Sequence, residues 1–240
     1  MKLRYIALRL TRYSDSHNIL AAYSRERGRV SLSVPAGRGR EAGRLKALSM
    51  PLTIVECEID ERSQREIMPL RQARVVEVCP SIGGDPLKQM MAMFIAELVV
   101  LVTRDSVSTD TGMYEFLEAS VKVLELMKTG RLGNFHICFL YHLGRLMGVE
   151  PDVSTRREGY MFDMRDGVWR GSMPLHGDAL TVEESDVVAS LTRITFANQH
   201  LYRYSRAERA RVLDLMMRYL SIHLTPLTGV KSLDVLRAMF

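Results

Sequence analysis

The sequence predicts an α+β fold in two parts, a small β-barrel over residues 1–80 and an α-helical domain over residues 81–240. Three observations carry this. Five short β-rich stretches fall within the first 80 residues, Cys79-Pro80-Ser81-Ile82-Gly83-Gly84 then breaks the texture, and from Asp85 onward apolar residues recur at helical spacing. A Pro and Gly run at a change of texture is where a domain boundary is expected.

Taken in order, residues 3–13 alternate imperfectly and read as a strand with Ile6, Leu8 and Leu10 on one face and Arg9 on the other, followed by a Ser14-Asp15-Ser16 turn. Residues 18–24 and 30–35 form a hairpin whose Gly28-containing tip presents Arg25, Arg27 and Arg29. Residues 50–59 and 66–78 make a further pair, linked by Asp60-Glu61-Arg62-Ser63. Five short strands with basic connections fit a Greek-key barrel of the OB type, an architecture that binds oligonucleotides on one face and through its loops.

Residues 25–46, RERGRVSLSVPAGRGREAGRLK, hold seven Arg or Lys against two acids. Cations this dense repel one another unless they are solvated or face a polyanion, and Gly37, Gly39 and Gly43 leave the backbone free to follow one. The segment therefore reads as a glycine-loosened basic loop gripping a phosphate backbone, with a merely solvated surface loop as the alternative.

The second part is helical. Asp85 caps a helix with Pro86 at its first position that runs to about residue 103; a second spans about 110–128 and stops at Gly130; a third starts at Asn134 and stops at Gly148. Residues 149–178 interrupt the pattern with glycines and prolines, and MFDMRDGVW reads as a hairpin around Arg165-Asp166-Gly167. Capping boxes Thr181/Glu184 and Ser205/Glu208 open two more helices, and a short amphipathic one starts near Ser232.

At 47% hydrophobic and 25% charged, 240 residues have the composition of an ordinary soluble protein with a real core. The net charge is +5, and all of the excess is local: residues 1–78 carry 15 basic and 9 acidic side chains, residues 79–240 carry 18 and 19. That asymmetry points to a polyanionic partner for the first part: nucleic acid first, an acidic protein second, an anionic membrane surface third. Cys57, Cys79 and Cys138, with no C-x-x-C, fit a reducing cytoplasm. The N-terminal apolar run is broken by Arg4, Arg9 and Arg12, and residues 90–102 are too few to span a bilayer, so no membrane association is expected.

Catalytic signatures are absent from the sequence: no G-x-S-x-G, H-E-x-x-H or Walker motif occurs, so no enzymatic activity and no cofactor are expected. His136 and His142 stand six apart, wrong for helical i, i+4 metal ligands, and Asp163 and Asp166 read as turn residues. Tyr5, Tyr13 and Tyr23 are either base-stacking or core residues. Lys128, Arg131 and Arg145 lie near helix ends beside Phe139, where cations complement the helix dipole or rim a groove for an acidic-hydrophobic peptide.

In its order of parts the chain resembles the RecO family of bacterial recombination mediators. The resemblance rests on VPAGRGREAGRLK after the third strand, PLKQMMAMFIAELVVLVTRD in the helical part, HLGRLMGVEPD and the closing KSLDVLRAMF. It implies DNA repair and homologous recombination through the RecFOR pathway: binding of single- and double-stranded DNA, single-strand annealing, and, with RecR, loading of RecA onto strands coated by single-strand-binding protein (SSB). It also implies a nucleoid-associated cytoplasmic location and capture of the SSB tail. Carried over residue by residue, the DNA-binding set is Arg38, Arg40, Arg44 and Lys46 with Arg25, Arg27 and Arg29 beside them, and the tail-binding set is Lys128, Arg131, Phe139 and Arg145. Many relatives place a four-cysteine zinc site after this GxxPD segment; here VSTRREGYMFDMRDGVW has no cysteine, so no metal is expected and the hairpin takes its place as the local staple. The rival reading is an adaptor with no nucleic-acid role that docks an acidic protein through the basic barrel.

Overall fold

A computed structural model describes residues 1–60, 65–104 and 110–240. Residues 61–63 of the expected linker lie outside them. The chain divides into two compact units, Met1–Thr129 with Gly229–Met239, and Gly130–Thr228 with Phe240. The barrel strands end at Glu77, yet three further helices and the closing one belong to the barrel's unit.

In the first unit, β1 (Lys2–Arg12), β2 (His17–Ser24) and β3 (Gly28–Pro35) form an antiparallel meander, and β4 (Ile54–Glu58) pairs with the other side of β1. The stretch read as one fifth strand is two: β5 (Ile67–Pro69) and β6 (Arg71–Glu77), separated by Leu70 alone. They lie at opposite edges of a sheet ordered β5-β3-β2-β1-β4-β6, with β5 parallel to β3 and β6 antiparallel to β4. Two edges joined by one residue force the sheet to curl onto itself, giving the OB-type barrel. Pro69 has no amide to continue a ladder, which is why the strand changes partner there.

Leu3, Tyr5 and Ala7 of β1 fill the barrel with Leu20, Ala22, Leu32, Val34 and Val55. Leu8 is an extra residue in the β1–β2 register, so the side-chain parity flips across it. Ile6 and Leu10 therefore do not share a face as the alternation predicts. Leu10 packs on the barrel core, whereas Ile6 faces outward and is still fully buried, because a long helix over Pro86–Val102 lies against β1.

The basic segment is not a loop throughout. Residues 40–48 fold into helix α1 (Arg40–Leu48), whose Leu45 and Leu48 insert into the barrel core. Burial of two leucines at i, i+3 spacing outweighs the helix-weakening Gly43 and the mutual repulsion of the cations. The remaining helices of this unit are α2 (Pro80–Gly84), α3 (Pro86–Val102), α4 (Thr111–Leu126) and α8 (Ser232–Met239). Asp85 and Asp110 cap α3 and α4 by accepting from amides of the first turn. Lys88, buried in α3, donates to Ser81 Oγ and the Glu125 carbonyl at 2.7 Å each, and the Glu125 carboxylate takes the Ser81 and Ile82 amides. That network staples α2, α3 and α4 together.

The second unit holds α5 (Phe135–Leu146), the hairpin β7 (Met161–Asp163) and β8 (Val168–Arg170), α6 (Val182–Leu191) and α7 (Arg206–His223). Both expected capping boxes are present, Thr181 with Glu184 and Ser205 with Glu208. The hairpin turns on Gly167 in the left-handed region, φ 70°. Asp163, buried, accepts from the Arg165 and Asp166 amides and from Arg170 Nε, so it is a turn residue and part of the local staple.

Candidate nucleic-acid interface

The seven cations proposed for DNA do not form one cluster. Arg25, Arg27 and Arg29 ride the β2–β3 turn; Arg38, Arg40, Arg44 and Lys46 follow the far end of β3. With eight residues in β2, at about 3.4 Å per step the two groups stand about 24 Å apart along the strand. Turn and α1 lie at opposite ends of the barrel.

The turn cations are engaged within their own unit. Arg29 donates to the Val100 carbonyl at 2.7 Å, near the C-terminus of α3, where carbonyls outnumber helical amides. Arg25 pairs with Glu115 of α4 at 3.5 Å, and Arg27 reaches the Met68 sulfur at 3.7 Å. The first two contacts dock the hairpin on α3 and α4, and the third reaches β5.

At the α1 end the picture differs. Arg44 is held by Glu41 through two bonds of 2.9 and 3.0 Å and donates to the Ala73 carbonyl of β6 at 2.8 Å. The pair holds the Glu41 carboxyl below its ordinary range and the guanidinium above its own. Arg44 thus pins α1 to the barrel. Arg38, Arg40 and Lys46 are exposed, and among the described residues their side chains have no hydrogen-bond or ion-pair partner. Arg38 stands in the lead-in, Arg40 opens the helix, and the N-cap Gly39, at φ 118°, gives the first turn no side-chain acceptor. Uncapped amides and two cations make that helix start strongly attractive to anions.

Position comes from the strands. The Ala36 amide donates to the Ser16 carbonyl at 2.8 Å, joining the β1–β2 turn to the basic lead-in. This brings in Arg12 and Tyr13, which the sequence reading did not assign to the phosphate-binding set. Their signal was a cation and an aromatic at the edge of a turn that OB barrels use for binding. Tyr13 is 70% exposed, whereas Tyr5 and Tyr23 are buried in the core, so of the three tyrosines only Tyr13 is open to a base. Between the turn and α1 lies a cleft of 350 Å³ walled by Leu10, Val34, Pro35 and Ala42, with Asn18, Arg12 and Lys46 also lining it.

The residues named for a partner's tail fare otherwise. Phe139 is 0% exposed, inside α5, and lines no surface groove. Arg145 is exposed and paired with Glu150 at 3.4 Å, Arg131 is exposed, and Lys128 falls in the other compact unit. His136 is buried in α5, and burial followed by the charge of Arg209 drives its pKa down to about 3. His142, half-buried, packs its ring against Phe196 and bonds the Ile194 carbonyl at 3.0 Å, so both histidines are structural residues. Among the described residues no helix is long and apolar enough to cross a membrane.

Comparison with known proteins agrees with this architecture. The family profile described as "Recombination protein O N terminal" matches residues 1–79, the barrel segment. The DNA repair protein RecO of Porphyromonas gingivalis is 34% identical over 241 residues, spanning 99% of this chain and 98% of that protein. The protein of the same name from Phocaeicola vulgatus is 33% identical over 235 residues, 98% of this chain and 97% of its own length. An OB-type barrel, a helical remainder and full-length similarity of this order place the chain in the RecO family.

Proposed function

We propose that this chain is a non-enzymatic DNA repair and recombination mediator that holds the DNA backbone at the α1 end of its barrel through Arg38, Arg40 and Lys46. The observation that carries the reading is that these three cations, alone of the seven, are exposed and have no partner among the described residues while being mounted on a folded helix and its anchored lead-in. A backbone already folded loses little freedom when the cations it carries meet phosphates, and surface cations left unneutralised by the fold are the ones that release counterions on binding. Kinship with proteins named DNA repair protein RecO supports the repair role.

In this reading the site binds single- and double-stranded DNA without sequence preference, because its visible contacts are to phosphate. The chain then anneals complementary strands and acts with RecR in loading RecA onto strands covered by SSB, whose acidic-hydrophobic tail is a further partner. Fluorescence-anisotropy titration of a labelled oligonucleotide at two salt concentrations tests it. Binding that weakens steeply with salt supports the reading, and no binding at low salt leaves the acidic-protein adaptor in its place.

A further inference from the structure

We infer that the cleft beside α1 receives an unpaired nucleobase, so that this end of the barrel distinguishes single strands from duplex by base insertion; the inference rests on the DNA-binding reading above. The cleft's 350 Å³ lies at the lower end of the range for small-ligand pockets, about 300–1,000 Å³. It suits one planar heterocycle and not a helix. Leu10, Pro35 and Ala42 supply the apolar part of the walls for a base, with Val34 buried behind them.

The polar groups match the rest of a nucleotide. Asn18, partly exposed on β2, lines the cleft with a side-chain amide that has no partner among the described residues. An amide offers a donor and an acceptor side by side, the pattern displayed by base edges. Arg12 and Lys46 line the same cleft, within reach of the phosphates on a base seated there. Arg12 bonds Asp15 at 2.7 Å, but that pair is almost wholly solvent-exposed, so a phosphate readily replaces the carboxylate.

Bases of a duplex are stacked and paired, and one enters such a cleft only after being flipped out; an unpaired strand has no such barrier. The phosphate contacts at Arg38 and Arg40 are common to both forms. Discrimination between them therefore falls to the cleft.

The test compares three labelled probes at one low salt concentration: oligothymidylate, an equally long deoxyribose-phosphate strand without bases, and a duplex of the same length. The wild type is expected to bind oligothymidylate about tenfold more tightly than the baseless strand. Ala42→Trp, which fills the cleft without changing charge, brings that ratio toward one, and Asn18→Ala lowers it about threefold. Equal affinity of the wild type for the two single strands, or a ratio unmoved by both substitutions, overturns the cleft while leaving DNA binding intact. Failure to bind any of the three probes overturns the DNA reading and the cleft with it.

Discussion

The backbone amide of Ala36 donates to the carbonyl of Ser16 across 2.8 Å, and this bond joins the turn after β1 to the basic lead-in after β3. Two stretches twenty residues apart in sequence thereby become one end of the barrel. At that end Arg38, Arg40 and Lys46 are available for a ligand, whereas Arg44 and the cations of the β2–β3 turn are used by the fold.

Arg29→Ala removes a charged donor from the partly buried Val100 carbonyl and is expected to cost about 1–2 kcal/mol of stability. Urea unfolding should show a lowered midpoint, and the dependence of oligonucleotide affinity on salt should stay as in the wild type. A flattened salt dependence would move the turn back into the binding surface.

At the hairpin of the second unit, Gly167 has φ 70° and a Cβ placed there meets the Tyr219 hydroxyl at 2.9 Å. Gly167→Ala is expected to cost at least about 1–2 kcal/mol from the left-handed backbone alone, seen as a lower melting temperature. Gly43→Ala, where a Cβ meets open space on α1, is expected to raise stability by about 0.5–1 kcal/mol. The pair separates a required glycine from a dispensable one.

His136 makes stability pH-dependent. Its folded pKa is about 3, whereas an unfolded histidine titrates near 6.5. Between these values the unfolded chain binds a proton that the folded one does not, so the contribution is complete above about pH 6.5 and is lost as pH falls toward 3. At pH 5 the loss is about 2 kcal/mol. Denaturation at pH 7 and pH 5 should therefore show a smaller difference in His136→Leu than in the wild type, and an identical difference would contradict the buried neutral ring.

The legible parts of this fold are those set by local chemistry. Asp85 before Pro86, the two capping boxes and the Asp166-Gly167 turn each satisfy or shape backbone within a few residues, so their spacing alone locates them. Helix α1 was hidden because its signal is only Leu45 and Leu48 among charges and glycines, and their value arises from a barrel core built by distant strands. The break between β5 and β6 falls after Pro69, and residues 66–78 read as one strand because which sheet edge each half joins is a non-local matter. The site was half legible for the same reason. Charge density picked out residues 38–46, while only tertiary pairing reveals that Arg29 and Arg44 are consumed by carbonyls and that Arg12 and Asn18 stand beside α1.

The most direct test of the account is the slope of log affinity against log salt for a single-stranded oligonucleotide, measured for the wild type and for Arg38→Ala with Arg40→Ala. If these two cations contact phosphates, the double variant flattens the slope by up to about two. A slope identical to that of the wild type would contradict the assignment of the α1 end of the barrel as the DNA-binding surface.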